Sequence, residues 1–215
     1  MPPCNFIKIN NDSAHLLWHI AEPEEVLLRE SKLSPLAQTA YQEIIHPRKR
    51  REWLAARLAL KKLLEKWGHV YTDLHKDAWG RPHLANSGLH LSIAHNFPFA
   101  FVAVDRKNPI GIDIQFPCSK LQSVKEKFLN DEEIRDSDNN LEKLCIYWCA
   151  KEAVYKSQGG KNLSLKQDIH ISAFTKRDRG AFWGEIGSKF FVIHYSFYDG
   201  HVLAWSREAG ISNVQ

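Results

Sequence analysis

Glu152 and Lys156 stand one helical turn apart at the end of an apolar stripe. The segment Trp148-Cys149-Ala150-Lys151-Glu152-Ala153-Val154-Tyr155-Lys156 reads as a helix. Its apolar face runs through Leu141, Leu144, Cys145 and Trp148, at spacings of three and four. One turn on, the same face reaches Glu152 and then Lys156. Charge is costly to bury unless it is paired or bound to a metal. A carboxylate and an ammonium that continue an apolar stripe therefore suit a ligand site. The competing reading is an exposed i,i+4 ion pair, worth about 0.2–0.5 kcal/mol. The helix alone does not choose between the two.

Other groups could serve the same chemistry. Ile110-Gly111-Ile112-Asp113-Ile114-Gln115 reads as a strand, with Gly111, Asp113 and Gln115 on one face and the three isoleucines on the other. His95 ends another strand. Arg81 and the run Arg48-Lys49-Arg50-Arg51 supply positive charge. Oxygen ligands without His or Cys partners suit Mg²⁺, which binds through one or two carboxylates plus substrate phosphates. Lys and Arg would then hold the remaining phosphate charge. The residue types point to a metal–diphosphate site. The sequence has no GxxxxGK[ST] loop and no GxGxxG fingerprint.

The elements that must carry these groups can be read in outline. Phe6–Ile9 and Ala14–Ile20 are apolar strand-like stretches, and Glu22–Ile45 is helical with a start at Ser34-Pro35. A long helix follows, from Arg48 to Trp67, closed by Gly68. Four consecutive cations in its first turns oppose the helix dipole and repel one another, so an anion is expected to compensate them. The competing reading is a solvated charged face. Trp79-Gly80-Arg81-Pro82-His83-Leu84 is a turn. Leu89–Asn96 and Phe99–Asp105 form a hairpin. Lys107-Asn108-Pro109 is the joint between an N-terminal half, residues 1–107, and a C-terminal half, residues 108–215. In the second half, helices at Leu121–Leu129 and Asp131–Lys156, the latter broken near Asp136–Asn140, precede a hairpin around Tyr198-Asp199-Gly200. Each half offers helical material before strands, an α+β order.

Composition narrows the class further. The 215 residues are 44% hydrophobic and 25% charged, with a net charge of +4, as in an ordinary globular protein of one large or two small domains. Cys4, Cys118, Cys145 and Cys149 show no CxxC spacing and no zinc-ligand pattern. With no secretory signal and no membrane-length apolar run, a reducing cytoplasm is the expected setting.

The ordered set Gly80-Arg81-Pro82, Ser92-Ile93-Ala94-His95, Gly111-Ile112-Asp113-Ile114-Gln115 and Trp148 to Lys156 resembles the 4′-phosphopantetheinyl transferase superfamily. Gly159-Gly160-Lys161-Asn162-Leu163-Ser164-Leu165 resembles the loop that follows the same helix there. The resemblance spans roughly residues 48 to 170. The chain length is similar to the monomeric, surfactin-synthetase-activating type. The resemblance implies an α+β pseudo-dimer of two similar halves with the active site in the cleft between them. It implies transfer of the phosphopantetheine arm of coenzyme A to a serine of an acyl, peptidyl or aryl carrier protein, with release of adenosine 3′,5′-bisphosphate. Asp113 and Glu152 match the family's metal-binding carboxylates, for Mg²⁺ or in its place Mn²⁺, and Lys156 matches the lysine on the diphosphate. Glu152 is also the leading base by position. His95 matches a coenzyme-contacting histidine and Arg81 a basic residue near the nucleotide phosphate. Arg48, Lys49 and Arg51 are further candidates for the 3′-phosphate.

Two positions depart from that pattern. Gln115 stands where many members have a third metal-site acid, although an amide oxygen can still coordinate. Ala94 stands where many have Ser before the histidine. Lys151 either orients Glu152 or points outward, and the outward orientation is expected; Trp148 is expected to be packing. The expected protein is a monomer without a membrane or nucleic-acid partner. Two other classes remain open at this level. One is a coenzyme-binding homologue that has lost catalysis. The other is a nucleic-acid binder using the Arg48–Arg51 helix, which would show steep salt dependence.

Overall fold

The computed structural model describes residues 4–8 and 11–210, apart from 79, 86, 160 and 161. Ile9 of the expected first strand, Trp79 of the expected turn, and Gly160 and Lys161 of the expected loop lie outside the described residues. The chain divides into two compact units, Met1–Lys107 and Asn108–Gln215.

The first unit holds β1 (Cys4–Lys8), β2 (Ser13–His19), α1 (Glu24–Ser31), α2 (Pro35–Gln42), α3 (Pro47–Lys66), β3 (Leu74–Lys76), β4 (Pro82–Leu84), β5 (His90–Asn96) and β6 (Phe99–Asp105). Its main sheet is antiparallel in the order β1-β2-β6-β5. The start of α2 follows the expected signal: the Ser34 hydroxyl accepts from the Ala37 N–H, and Pro35 occupies the first turn, where its missing N–H costs nothing. α3 begins at Pro47 in the same way. It buries Leu54, Ala55, Leu58, Ala59, Leu63 and Leu64 in one core with Leu16 and Trp18 of β2 and Ala100, Val102 and Val104 of β6. Small residues at 55, 56 and 59 let the helix lie close to the sheet.

The second unit holds β7 (Ile110–Gln115), α4 (Ser119–Val124), a 3₁₀ turn at Lys125–Lys127, α5 (Asp131–Ser137), α6 (Leu141–Ser157), β8 (His170–Ile171), β9 (Arg179–Ile186), β10 (Lys189–Tyr198) and β11 (His201–Glu208). Its sheet runs β7-β11-β10-β9-β8, also antiparallel. The break expected near Asp136–Asn140 is real: Asp138 and Asn139 adopt φ of 47° and 51°, and Asn140 then caps α6 by accepting from the Lys143 N–H. Asp199 and Gly200, at φ 46° and 73°, make the tight turn of the β10–β11 hairpin.

Both units are therefore mixed α+β, and they share a chain order. In each, a strand (β2 or β7) is followed by helices that end in the longest one (α3 or α6). A hairpin then returns (β5–β6 or β10–β11), and its second strand pairs with that first strand.

Candidate functional site

In the second unit, α6 lies on the Gly111–Asp113 face of β7. The approach is so close that a Cβ on Gly111 would sit 1.8 Å from the Ala153 carbonyl oxygen and 2.6 Å from the Ser157 backbone nitrogen. Only glycine fits there. The contact sets Asp113 against the last turns of α6, and Lys156 Nζ donates to Asp113 Oδ1 at 2.7 Å. Lys156 thus pairs with the strand. The exposed Glu152–Lys156 pair, one reading of the sequence, is not formed. Burial pushes the Glu152 carboxyl above its ordinary pKa, the Asp113 charge adds to the rise, and Lys156 offsets part of it. Asp113, Glu152 and Lys156 therefore share one field. Gln115 lies on the same strand face, and its side-chain amide donates to the Phe116 carbonyl at 3.0 Å.

Gly111→Ala is expected to displace α6 from β7, because the obstructing atoms are backbone and cannot rotate aside. The expected stability loss is about 1–3 kcal/mol. Activity should fall further than stability, since the Asp113–Lys156 spacing is set by that contact. Urea unfolding and turnover, measured side by side, check both; unchanged turnover would show that the spacing does not matter.

Lys151 does not point outward as expected. It is 0% exposed. Its ammonium donates to the Leu165 and Ile169 carbonyls at 2.8 and 2.7 Å and pairs with Glu133 at 2.7 Å, so all three donors are used. Glu133 is equally occupied, accepting from Ile171 N–H and from Asn130 N–H at 2.9 Å each. A charge this deep survives because each ammonium proton and both carboxylate oxygens have partners. Cys145 and Cys149 are buried thiols facing the Gln115 and Val202 carbonyls, in line with the expected core role. Trp148 packs edge-on against Phe128, 5.1 Å between centroids, also as expected.

In the first unit the structure gathers Arg48, Lys49 and His95 around a residue the sequence reading passed over. Glu52 is 1% exposed. Lys49 Nζ lies 2.7 Å from it, His95 Nδ1 3.2 Å, Arg48 Nε 3.6 Å, and the Phe97 N–H donates to it at 3.0 Å. This carboxylate is the anion that the cationic run needed. Burial acts to raise its pKa, but the hydrogen bonds from His95 and Lys49 outweigh that and hold it at about 2. The spacing was visible: an acid three and four residues after two cations can pair with both on a helix. Arg51 reaches the Ile20 carbonyl at 3.3 Å and, with Arg48, flanks the Phe97 ring at about 5 Å. Arg50 turns elsewhere, onto the Ile44 carbonyl, Glu24 and the Tyr41 ring. The run is thus divided among partners and does not form one free basic stripe. Arg81 sits in the turn between β3 and β4, where its backbone exchanges hydrogen bonds with Asp77.

Among the described residues no group of three or more His, Cys, Asp or Glu gathers as a metal cage, and no helix is long and apolar enough to cross a membrane. A buried Glu152 carboxylate whose charge is opposed by the neighbouring Asp113, with an amide on the same strand as Asp113, suits a hard cation that takes its other ligands from water and phosphate. The donor set fits Mg²⁺.

The half of the chain that carries Asp113, Glu152 and Lys156 also carries the family-model match. A model of the 4′-phosphopantetheinyl transferase superfamily matches residues 109–209. A Haemophilus influenzae protein assigned provisionally as a 4′-phosphopantetheinyl transferase is 30% identical over 120 residues, which is 52% of this chain and about half, 51%, of that protein. The 4′-phosphopantetheinyl transferase HetI of a Nostoc species is 30% identical over 185 residues, 75% of either chain. Because that last likeness runs through both units, it is the whole chain that belongs to the 4′-phosphopantetheinyl transferase superfamily.

Proposed function

We propose that this protein transfers the 4′-phosphopantetheine arm of coenzyme A to a serine hydroxyl of an acyl, peptidyl or aryl carrier protein, releasing adenosine 3′,5′-bisphosphate. The observation that carries the reading is the convergence of Asp113, Glu152 and Lys156 where α6 closes on β7. Asp113 and Glu152 would hold Mg²⁺, with Gln115 as a third oxygen donor. The bound ion would supply positive charge to the diphosphate as charge develops on the leaving phosphate.

The chain's own groups supply the rest. Lys156, on Asp113 in the free protein, offers an ammonium that can pass to the diphosphate. Glu152 accepts the serine proton, directly or through water; its pKa lies above that of an ordinary carboxylate, nearer the value an effective base needs at neutral pH. Arg48, Lys49, Arg51, His95 and Arg81 are proposed to bind the phosphates of the nucleotide end. We assign the chain to the surfactin-synthetase-activating type, acting as a monomer. The repeat of strand, helices and hairpin within one chain supports this. A reducing cytoplasm suits its buried thiols.

Mass spectrometry of apo-carrier proteins incubated with coenzyme A and Mg²⁺ tests the proposal. The expected result is a carrier heavier by one phosphopantetheine arm. Coenzyme binding without any adduct would instead mark a homologue that has lost catalysis. Gln115→Glu is expected to keep or raise turnover, because it adds a charged oxygen on the metal-facing side of β7. Loss of Mg²⁺-dependent turnover in that variant would remove Gln115 from the site.

A further inference from the structure

We infer that Glu52 is a positioning residue that assembles Arg48, Lys49 and His95 into one binding cluster for the nucleotide's 3′-phosphate. The inference rests on the proposed function. It concerns a residue in no motif that suggested the family.

Glu52 stands in the second turn of α3 and is nearly sealed from solvent. Its cost of burial is met by Lys49 on α3, His95 at the end of β5 and the Phe97 N–H in the β5–β6 turn, and by the Arg48 charge 3.6 Å away on α3. The carboxylate does not neutralise the cluster. Arg48 and Lys49 bring two positive charges against its one negative charge. The donors also stay available. Arg48 and Lys49 keep side-chain exposures of 52% and 58%, and His95 keeps 34%, against 1% for Glu52. The anion lies beneath and the cations face solvent above it. That layering suits a second anion arriving from outside.

Glu52 also fixes the histidine. An ionised carboxylate accepts hydrogen bonds and cannot donate them. Nδ1 of His95 must therefore carry the hydrogen, which leaves Nε2 to donate to an arriving phosphate in the imidazolium form. A purely structural tie between α3 and the hairpin would need neither the exposed ammonium nor the fixed ring.

The test is calorimetric binding of adenosine 3′,5′-bisphosphate and of adenosine 5′-monophosphate to the wild-type protein and to Glu52→Gln. Gln is isosteric and keeps an oxygen for the Phe97 N–H, but it turns an NH₂ toward donors. The wild type is expected to prefer the bisphosphate by at least about tenfold, the effect of one charge-assisted contact. In Glu52→Gln that preference should fall to within about twofold, with monophosphate affinity unchanged. A variant that keeps the full preference overturns the inference while leaving the proposed function intact. A wild type without any preference means that the assignment of this cluster to the 3′-phosphate, part of the proposed function, is wrong, and the inference falls with it. Should Glu52→Gln not fold, ¹⁵N NMR of His95 in the wild type decides. The neutral ring protonated on Nδ1, with Nε2 shifting when the bisphosphate is added, supports the inference. Protonation on Nε2 in the free protein overturns it.

Discussion

Glu152→Ala is expected to lose transfer to a carrier protein by on the order of 10³-fold or more while remaining folded. Two contributions go at once: an acceptor for the serine proton, which alone is worth roughly 10²–10⁴-fold, and one of two carboxylates proposed to hold Mg²⁺. The fold should tolerate the change. Among the described residues no ion pair holds Glu152 that the substitution would strand; its carboxyl pKa is raised by burial and by Asp113, with Lys156 offsetting part of the rise. An acid whose pKa rises on folding is held ionised at a cost to the folded state. Removing it should leave stability unchanged or higher, the signature of a group kept for function. Asp113→Ala should be equally inactive, and it frees Lys156, which is partly exposed and can turn to water. Carrier-protein mass spectrometry with Mg²⁺, together with thermal unfolding of each variant, checks both halves. Turnover near the wild-type rate in either variant would end the assignment of this site.

Much of that site was legible because its residues obey local periodicities. Period two along Ile110–Gln115 separates Asp113 from the isoleucines whatever the rest of the chain does, and the three-and-four spacing along α6 carries Glu152 and Lys156 onto one line. The pairing of Lys156 with Asp113, not with Glu152, was hidden. It depends on how closely α6 approaches β7, a distance set by the missing side chain at Gly111. Glycine in a strand pattern announces a close approach but not what approaches.

Other elements escaped for related reasons. β9 reads poorly as a strand because Gly180 and Gly184 interrupt it. Both are places where another side chain fills the gap: a Cβ would come within 2.8 Å of the Tyr195 ring at Gly180 and 2.7 Å of Ile193 at Gly184. β3 and β4 are three residues each, too short for alternation to register. Glu52 was passed over because it stands inside a run of cations, where an acid looks like one more solvated charge. Its partners from β5 and the following turn are more than forty residues away in sequence, and no local pattern reports them.

Lys151→Met carries the largest expected loss of stability. The substitution keeps an unbranched side chain of similar length, so the packing cost is small and the electrostatic cost dominates. What remains is Glu133, buried without its counter-charge, and the Leu165 and Ile169 carbonyls without their donor. Breaking a buried pair by removing one partner costs about 3–5 kcal/mol, a large share of the ~5–15 kcal/mol that holds a domain folded. Replacing both partners by neutral groups of similar shape costs less than breaking the pair. Lys151→Met with Glu133→Gln should therefore recover part of the loss. The ordering of the three proteins by urea midpoint is the measurement: wild type highest, double variant between, Lys151→Met lowest. A Lys151→Met unfolding free energy within about 1 kcal/mol of wild type would mean that the pair contributes little. The same clamp ties α5 and the segment from Leu165 to Ile171 to the turn of α6 that carries Glu152. Transfer by Lys151→Met should accordingly fall as the folded fraction falls on warming, and recover on cooling, because Lys151 holds the helix in place and touches no reacting atom.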